Sequence, residues 1–155
     1  MRARIAGREY WLDGTRIGDS SLANLTVPDF GYGLEITPVG GKLVHLNVAP
    51  LDRPSEEIAI RLDATAGIWA PAPANIEMIY RGDTARSLQA IISQLPEQVR
   101  NQHMRDMWKQ KYDFIEVLST STAFDAVTGE LRMGMKGSAR MDWSTSYYET
   151  DGTGS

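Results

Sequence analysis

The chain contains no cysteine and only two histidines in 155 residues. Without a thiol it holds no disulfide, no thiolate metal site and no cysteine nucleophile. His45 and His103 stand apart, without the His-x-x-x-His or Glu-x-x-His spacing that a metal site or a general base uses. Both are read as surface or interface histidines, and neither a metal nor a cofactor is expected. An excess of one charge is missing too: 16 Lys and Arg stand against 20 Asp and Glu, for a net charge of −4. Neutralising a phosphate backbone needs clustered cations, so no nucleic-acid partner is expected. The same scatter gives no polybasic membrane patch. No apolar run approaches the ~18–20 residues that cross a bilayer, so no membrane span is expected. Residues 1–7 lack the apolar stretch of a signal peptide and enter abruptly into a strand-like pattern. A piece of a longer protein with an added Met1 is the expectation; the residues themselves leave the compartment open.

What is present is a 42% hydrophobic content, enough for one domain with a real core. Gly7 and Asp13-Gly14 bracket a strand through Tyr10 to Leu12. Seven Gly and Pro residues between 18 and 41 predict a long surface connection with short extended pieces. Alternating apolar residues predict strands at Val44–Val48, Ile58–Leu62 and Ile76–Tyr80, with a loop over 64–75. Leu88, Ile91, Ile92 and Leu95 then fall at helical spacing, with Asp83 or Thr84 as the cap. Pro96 is placed to open a second helix, whose stripe takes in Val99, Met104, Met107 and Trp108. Strand patterns return at Phe114–Phe124 and at Leu131, Met133 and Met135, continuing through Ala139, Met141 and Trp143. Asp125 to Gly129 forms the turn between them. The expected class is α+β: an antiparallel sheet with a helical hairpin at about 84–111 on one face, preceded by β-hairpin and extended segments.

Candidate chemistry is sparse. Arg81-Gly82-Asp83 spells an adhesion tripeptide, but a strand end followed by a helix cap explains it better. Gly40-Gly41-Lys42 lacks the frame of a phosphate loop and reads as a turn. Asp52, Glu56 and Glu57 form no defensible carboxylate pair. Of four tryptophans, Trp108 and Trp143 read as core. Trp69, in a Pro-rich loop, is the candidate binding residue, with a packing anchor as the alternative.

One segment points to a family. Arg8-Glu9-Tyr10-Trp11-Leu12-Asp13-Gly14-Thr15 resembles the end of the catalytic core in bacterial transglutaminase-like proteins. There, an aromatic-x-Asp-x-Thr strand carries the third member of a Cys-His-Asp triad, and the matching residue is Asp13. Thr26 to Gly31, and residues 125–143, resemble the region C-terminal to that core in proteins with a β-rich domain before it. The resemblance implies that residues 1–17 are the last strand of the core, 18–54 a connecting segment, 55–148 an accessory α+β domain and 149–155 a tail. It implies a bacterial parent of an often exported kind, a cysteine peptidase or amide-transfer enzyme when intact. The cysteine of that triad is absent, and its histidine would stand shortly before Met1, with no residue here in its place. The chain is therefore expected to be a non-catalytic accessory region. Its partners would be the catalytic domain of the same protein and a polypeptide substrate. A stand-alone peptide- or carbohydrate-binding module is the alternative.

Overall fold

The computed structural model describes residues 2–19, 22, 25, 30–46, 51, 53–67 and 69–140. Eight strands and two helices succeed one another: β1 (Arg2–Ile5), β2 (Arg8–Trp11), β3 (Tyr32–Thr37), β4 (Gly40–His45), β5 (Glu56–Leu62), β6 (Ala72–Tyr80), α1 (Gly82–Gln94), α2 (Glu97–Lys111), β7 (Ile115–Asp125) and β8 (Glu130–Ala139). The fold is α+β with antiparallel sheets. β1–β2 and β3–β4 are two-stranded sheets, and the third has the order β5-β6-β8-β7. The described residues group into two compact units, each drawn from separated stretches. One lies within 1–57, 79–94 and 123–132, the other within 58–78, 95–122 and 133–155.

In the first unit β1 and β2 join through Ala6 and Gly7, both at positive φ (48° and 81°). That is the turn whose twist suits a two-residue hairpin, and Gly7 makes it accessible. β3 and β4 pair with Leu34 opposite Leu43 and Tyr32 opposite His45. The surface connection expected over 18–41 thus contains a full strand and the start of another. Gly33 and Gly41 hid the alternation, because a glycine leaves a gap in the apolar pattern where a side chain would be counted. The strand expected over Val44–Val48 instead begins at Gly40 and ends at His45, and Asn47 and Val48 lie outside the described residues.

α1 starts at Gly82, which takes φ 65°. Its buried residues are Ala85 and Ile92. Leu88 is half-buried and Ile91 is 58% exposed, so the stripe is rotated from the expected face toward Ala85. A small residue, invisible to a search for large apolar side chains, sets the buried line.

In the second unit, β6 buries Ala72, Ala74, Ile76 and Met78. Ile115 and Val117 of β7, Met133, Met135 and Ala139 of β8, and Met104 and Trp108 of α2 complete that unit's core. Each large side chain there contributes about 1.5–3 kcal/mol before chain entropy opposes it. Trp108 is fully buried, stacked on Tyr112 with ring centroids 6.0 Å apart, and its indole N–H has no hydrogen-bond partner. Pro96 caps α2, while Val99 is 51% exposed and falls off the expected stripe.

The loop expected over 64–75 ends early, since β6 begins at Ala72. Pro73 is tolerated because its carbonyl accepts from the amide of Asp63, just beyond the end of β5. Its missing N–H therefore costs the ladder nothing within β5. In β7 the burial alternation changes phase between Leu118 and Ser119, the mark of a bulge. Gly129 sits at φ 70° in the turn before β8, as the hairpin requires. Met141, Trp143, the segment Thr26 to Asp29 and the tail 149–155 lie outside the described residues.

Candidate functional site

Asp13 comes just after β2, in a tight turn. Its Oδ1 accepts from the backbone N–H of Thr15 at 3.0 Å and from the Thr15 hydroxyl at 2.7 Å. Those bonds, the hydroxyl first and then the amide, lower the carboxyl pKa below its ordinary value. The group is thus ionised and fixed at neutral pH. The same clasp recurs at Asp63, whose Oδ1 accepts from Thr65 N–H at 3.0 Å and Thr65 Oγ1 at 2.7 Å. Leu-Asp-x-Thr stands at both places. The turn is a local property of Asp-x-Thr, which a side-chain acceptor and a hydroxyl two residues on suffice to build.

The segment just after Asp13 is held by α1. Asp83 Oδ1 accepts from Gly18 N–H at 2.6 Å and from Ile17 N–H at 3.1 Å. The cap expected at Asp83 therefore serves a distant stretch of backbone. Gly18 is required there: a Cβ would overlap the Gly82 carbonyl carbon and the Asp83 nitrogen. Arg16 Nε lies 3.1 Å from Asp19 and 3.8 Å from Asp83. Negative charge in the first turn also suits the positive end of the helix. The adhesion tripeptide is spent within the fold, with Arg81 in ion pairs, Gly82 in a left-handed turn and Asp83 on this segment.

Glu130 is the buried charge of the first unit, 4% exposed. Its Oε1 accepts from Arg81 Nε at 2.8 Å and Arg53 Nη1 at 3.2 Å, and its Oε2 from Arg132 Nη2 at 2.8 Å. Arg81 also donates to the Pro54 carbonyl at 2.8 Å and to Glu57 at 3.2 Å. The Arg81 bond holds the Glu130 carboxyl below its ordinary pKa, against the opposing effect of burial, with Arg132 adding to it. Burial would lower the Arg81 pKa, but its bonds to Glu130 and Glu57 leave it raised. Both carboxylate oxygens are used to tie strand ends together, so the cluster reads as a structural tie.

Two open surfaces stand out among the described residues. The first is one face of the β3–β4 hairpin. Tyr32, Leu34, Ile36 and Leu43 share it by register and are 62%, 61%, 83% and 70% exposed. Phe30 before β3 and Val39 in the turn are also exposed. The only other side chain of that face is His45, whose ring meets Tyr32 edge-on at 5.2 Å. Contiguous exposed apolar faces of this kind generally mark interaction surfaces, for a protein, a membrane or a ligand. The second surface lies in the second unit, over the strand face opposite its core. It is a groove of about 480 Å³ lined by Ala59, Arg61, Asn75, Glu77, Ser121 and Lys136. Gly134 forms its floor, where a Cβ would press on the Ser121 hydroxyl.

The chain matches no family model, no curated protein and no solved structure. Trp69 is 68% exposed, between β5 and β6. His103 is exposed on α2 beside Gln102 and Asp106. Among the described residues no three His, Asp or Glu side chains gather as a metal site. No helix among them is long and apolar enough to cross a membrane. The apolar hairpin face and Glu130 escaped the sequence reading. Tyr32-x-Leu34-x-Ile36 was the available signal for the first. For Glu130 there was only Arg132 two positions away, on the same side of a strand.

Proposed function

We propose that this chain is a non-catalytic accessory region of a transglutaminase-like protein, docking on the catalytic core of the same protein. The observation that carries the proposal is the uncovered apolar face of β3–β4. A lone two-stranded hairpin gains little stability by itself, and one with its apolar side in water calls for a cover. Each of Leu34, Ile36 and Leu43 gains about 1.5–3 kcal/mol on full burial. In this reading Asp13 supplies the carboxylate that orients a histidine of the core and stabilises its imidazolium. The fixed, ionised state of Asp13 supports that role, and the Asp83 clasp keeps the neighbouring backbone in place. The turn geometry alone does not single Asp13 out, since Asp63 shares it; its assignment rests on the resemblance of residues 8–15.

The test is carbene footprinting of the chain alone and in complex with a catalytic stretch encoded upstream in its reading frame. Protection of Leu34, Ile36 and Leu43 in the complex is expected. Equal labelling in both samples, or an upstream frame without Cys and His, overturns the proposal.

A stand-alone peptide- or carbohydrate-binding module is the second reading, favoured by the open groove and the exposed Trp69. Titration with peptide and glycan panels, tracked by tryptophan fluorescence and by amide shifts at Ser121 and Gly134, decides it. Saturable shifts with either class support it, and a flat response to both removes it.

A further inference from the structure

We infer that a second copy of this chain adds to the free edge of β5, joining two four-stranded sheets into one of eight strands. β5 ends the strand order, and all seven of its residues are exposed. An edge strand offers a row of unpaired N–H and C=O groups, and proteins blunt it with proline, a bulge, charged side chains or a cover. The opposite edge, β7, carries such a break between Leu118 and Ser119. β5 has neither proline nor bulge, and its charges are of both signs: it runs Glu56-Glu57-Ile58-Ala59-Ile60-Arg61-Leu62 without interruption.

The direction of its hydrogen bonds fixes what can pair. The Asp63 amide and the Ser55 carbonyl both bond to the β6 side. Backbone groups alternate in direction along a strand, so Glu56, Ile58, Ile60 and Leu62 turn theirs to the open edge. Antiparallel addition about a two-fold axis at Ala59 uses those groups. Ile58 bonds to Ile60 of the second copy, and Glu56 to Leu62.

The side chains select this register. With the axis at Ala59, Glu57 stands opposite Arg61 of the second copy, and the symmetry makes the pair twice. These are non-hydrogen-bonded positions, where opposed side chains come closest. On the other face Ile58 meets Ile60, also twice, covering side chains that are 42% and 50% exposed. Moving the axis to Ile60 puts Glu57 opposite Asp63, a repulsion. Moving it to Ile58 leaves Arg61 opposite Ser55, with no charge partner. The five residues Glu57-Ile58-Ala59-Ile60-Arg61 are thus complementary to themselves in one register only. The axis stands perpendicular to the sheet, so both grooves open on the same side of the joined sheet.

The absence of cysteine gives a clean test. Ala59→Cys puts one thiol in each copy, and the register brings the two Cα atoms to about 4.5 Å, within disulfide reach. Mild oxidation of the full chain should give a cross-linked dimer. Leu62→Cys is the control, because its two copies lie six positions apart, roughly 20 Å. Sedimentation equilibrium should show dimer formation in the unmodified chain. Arg61→Glu should weaken it at least about tenfold through two like-charge pairs, and Arg61→Lys should change it by less than about threefold. All three substituted positions, Ala59, Arg61 and Leu62, are exposed, so the variants fold. A chain that stays monomeric at millimolar concentration overturns the inference. So does Ala59→Cys cross-linking no faster than Leu62→Cys, or a dimer indifferent to Arg61→Glu.

Discussion

Replacing Glu130 tests how the first unit is held. Its side chain is 5% exposed and Arg81 is 16%, whereas Arg132 and Arg53 are 46% and 69% exposed. The two outer arginines sit in water, and each is worth about 0–1 kcal/mol. The Arg81–Glu130 pair is different: breaking such a buried pair leaves an uncompensated charge and costs about 3–5 kcal/mol. Arg81 retains the Pro54 carbonyl and Glu57, which places Glu130→Ala near the lower end, about 3 kcal/mol. For a chain of this size that corresponds to a fall of roughly 6–12 °C in Tm. Glu130→Gln keeps an oxygen for Arg81 and should lose about 2 kcal/mol, since only the charge-assisted part goes. The pH dependence has a definite sign. The folded-state pKa of Glu130 is depressed, chiefly by the Arg81 bond. Its stabilisation is therefore complete above the ordinary value of about 4.3 and is lost as pH falls through the depressed one. Urea unfolding of wild type and Glu130→Gln, monitored by circular dichroism, should give a gap at pH 7 that closes in acid. A gap below ~0.5 kcal/mol at pH 7, or one that persists unchanged at pH ~2, refutes the reasoning.

Other perturbations have equally definite outcomes. Gly18→Ala drives a methyl into the backbone of Gly82 and Asp83 and should cost about 1–3 kcal/mol in thermal or urea unfolding. Asp83→Ala leaves the Ile17 and Gly18 amides without their acceptor, so their hydrogen exchange should quicken about 5- to 100-fold while β8 amides keep their rates. Trp108→Ala should lose about 3–5 kcal/mol, because the side chain is fully buried. Trp69→Ala should change stability by less than ~0.5 kcal/mol in urea unfolding, because the side chain is exposed.

Much of the second half of the chain was legible in its sequence. Met133 and Met135 alternate with polar residues, and α1 and α2 begin and end within a few residues of the expected hairpin. Local rules governed there: strand alternation, a proline at a helix start and a glycine in a turn. The N-terminal half was less legible for physical reasons. β3 and β4 carry Gly33, Gly40 and Gly41, which read as breakers but are tolerated because strand pairing supplies what their side chains do not. Pro73 was read as loop because its compatibility depends on which side of β6 its missing N–H would face. Asp83 reads as a cap from its neighbours, while its bond partners lie 65 and 66 residues away. Asp13 lies in the expected turn, and the turn at Asp63 shows how little of that geometry is particular to a site. The apolar hairpin face needed the register of two strands before Leu34 and Leu43 could be seen side by side.

The proposed docking of the β3–β4 face on a catalytic core is tested most directly by calorimetric binding of the chain to whatever Cys- and His-bearing stretch its reading frame encodes upstream. Saturable binding is predicted, and the double substitution Leu34→Lys with Leu43→Lys should weaken it at least about a hundredfold, since it places two charges in an apolar contact. Absence of binding, or binding that the double substitution leaves unchanged, contradicts the account.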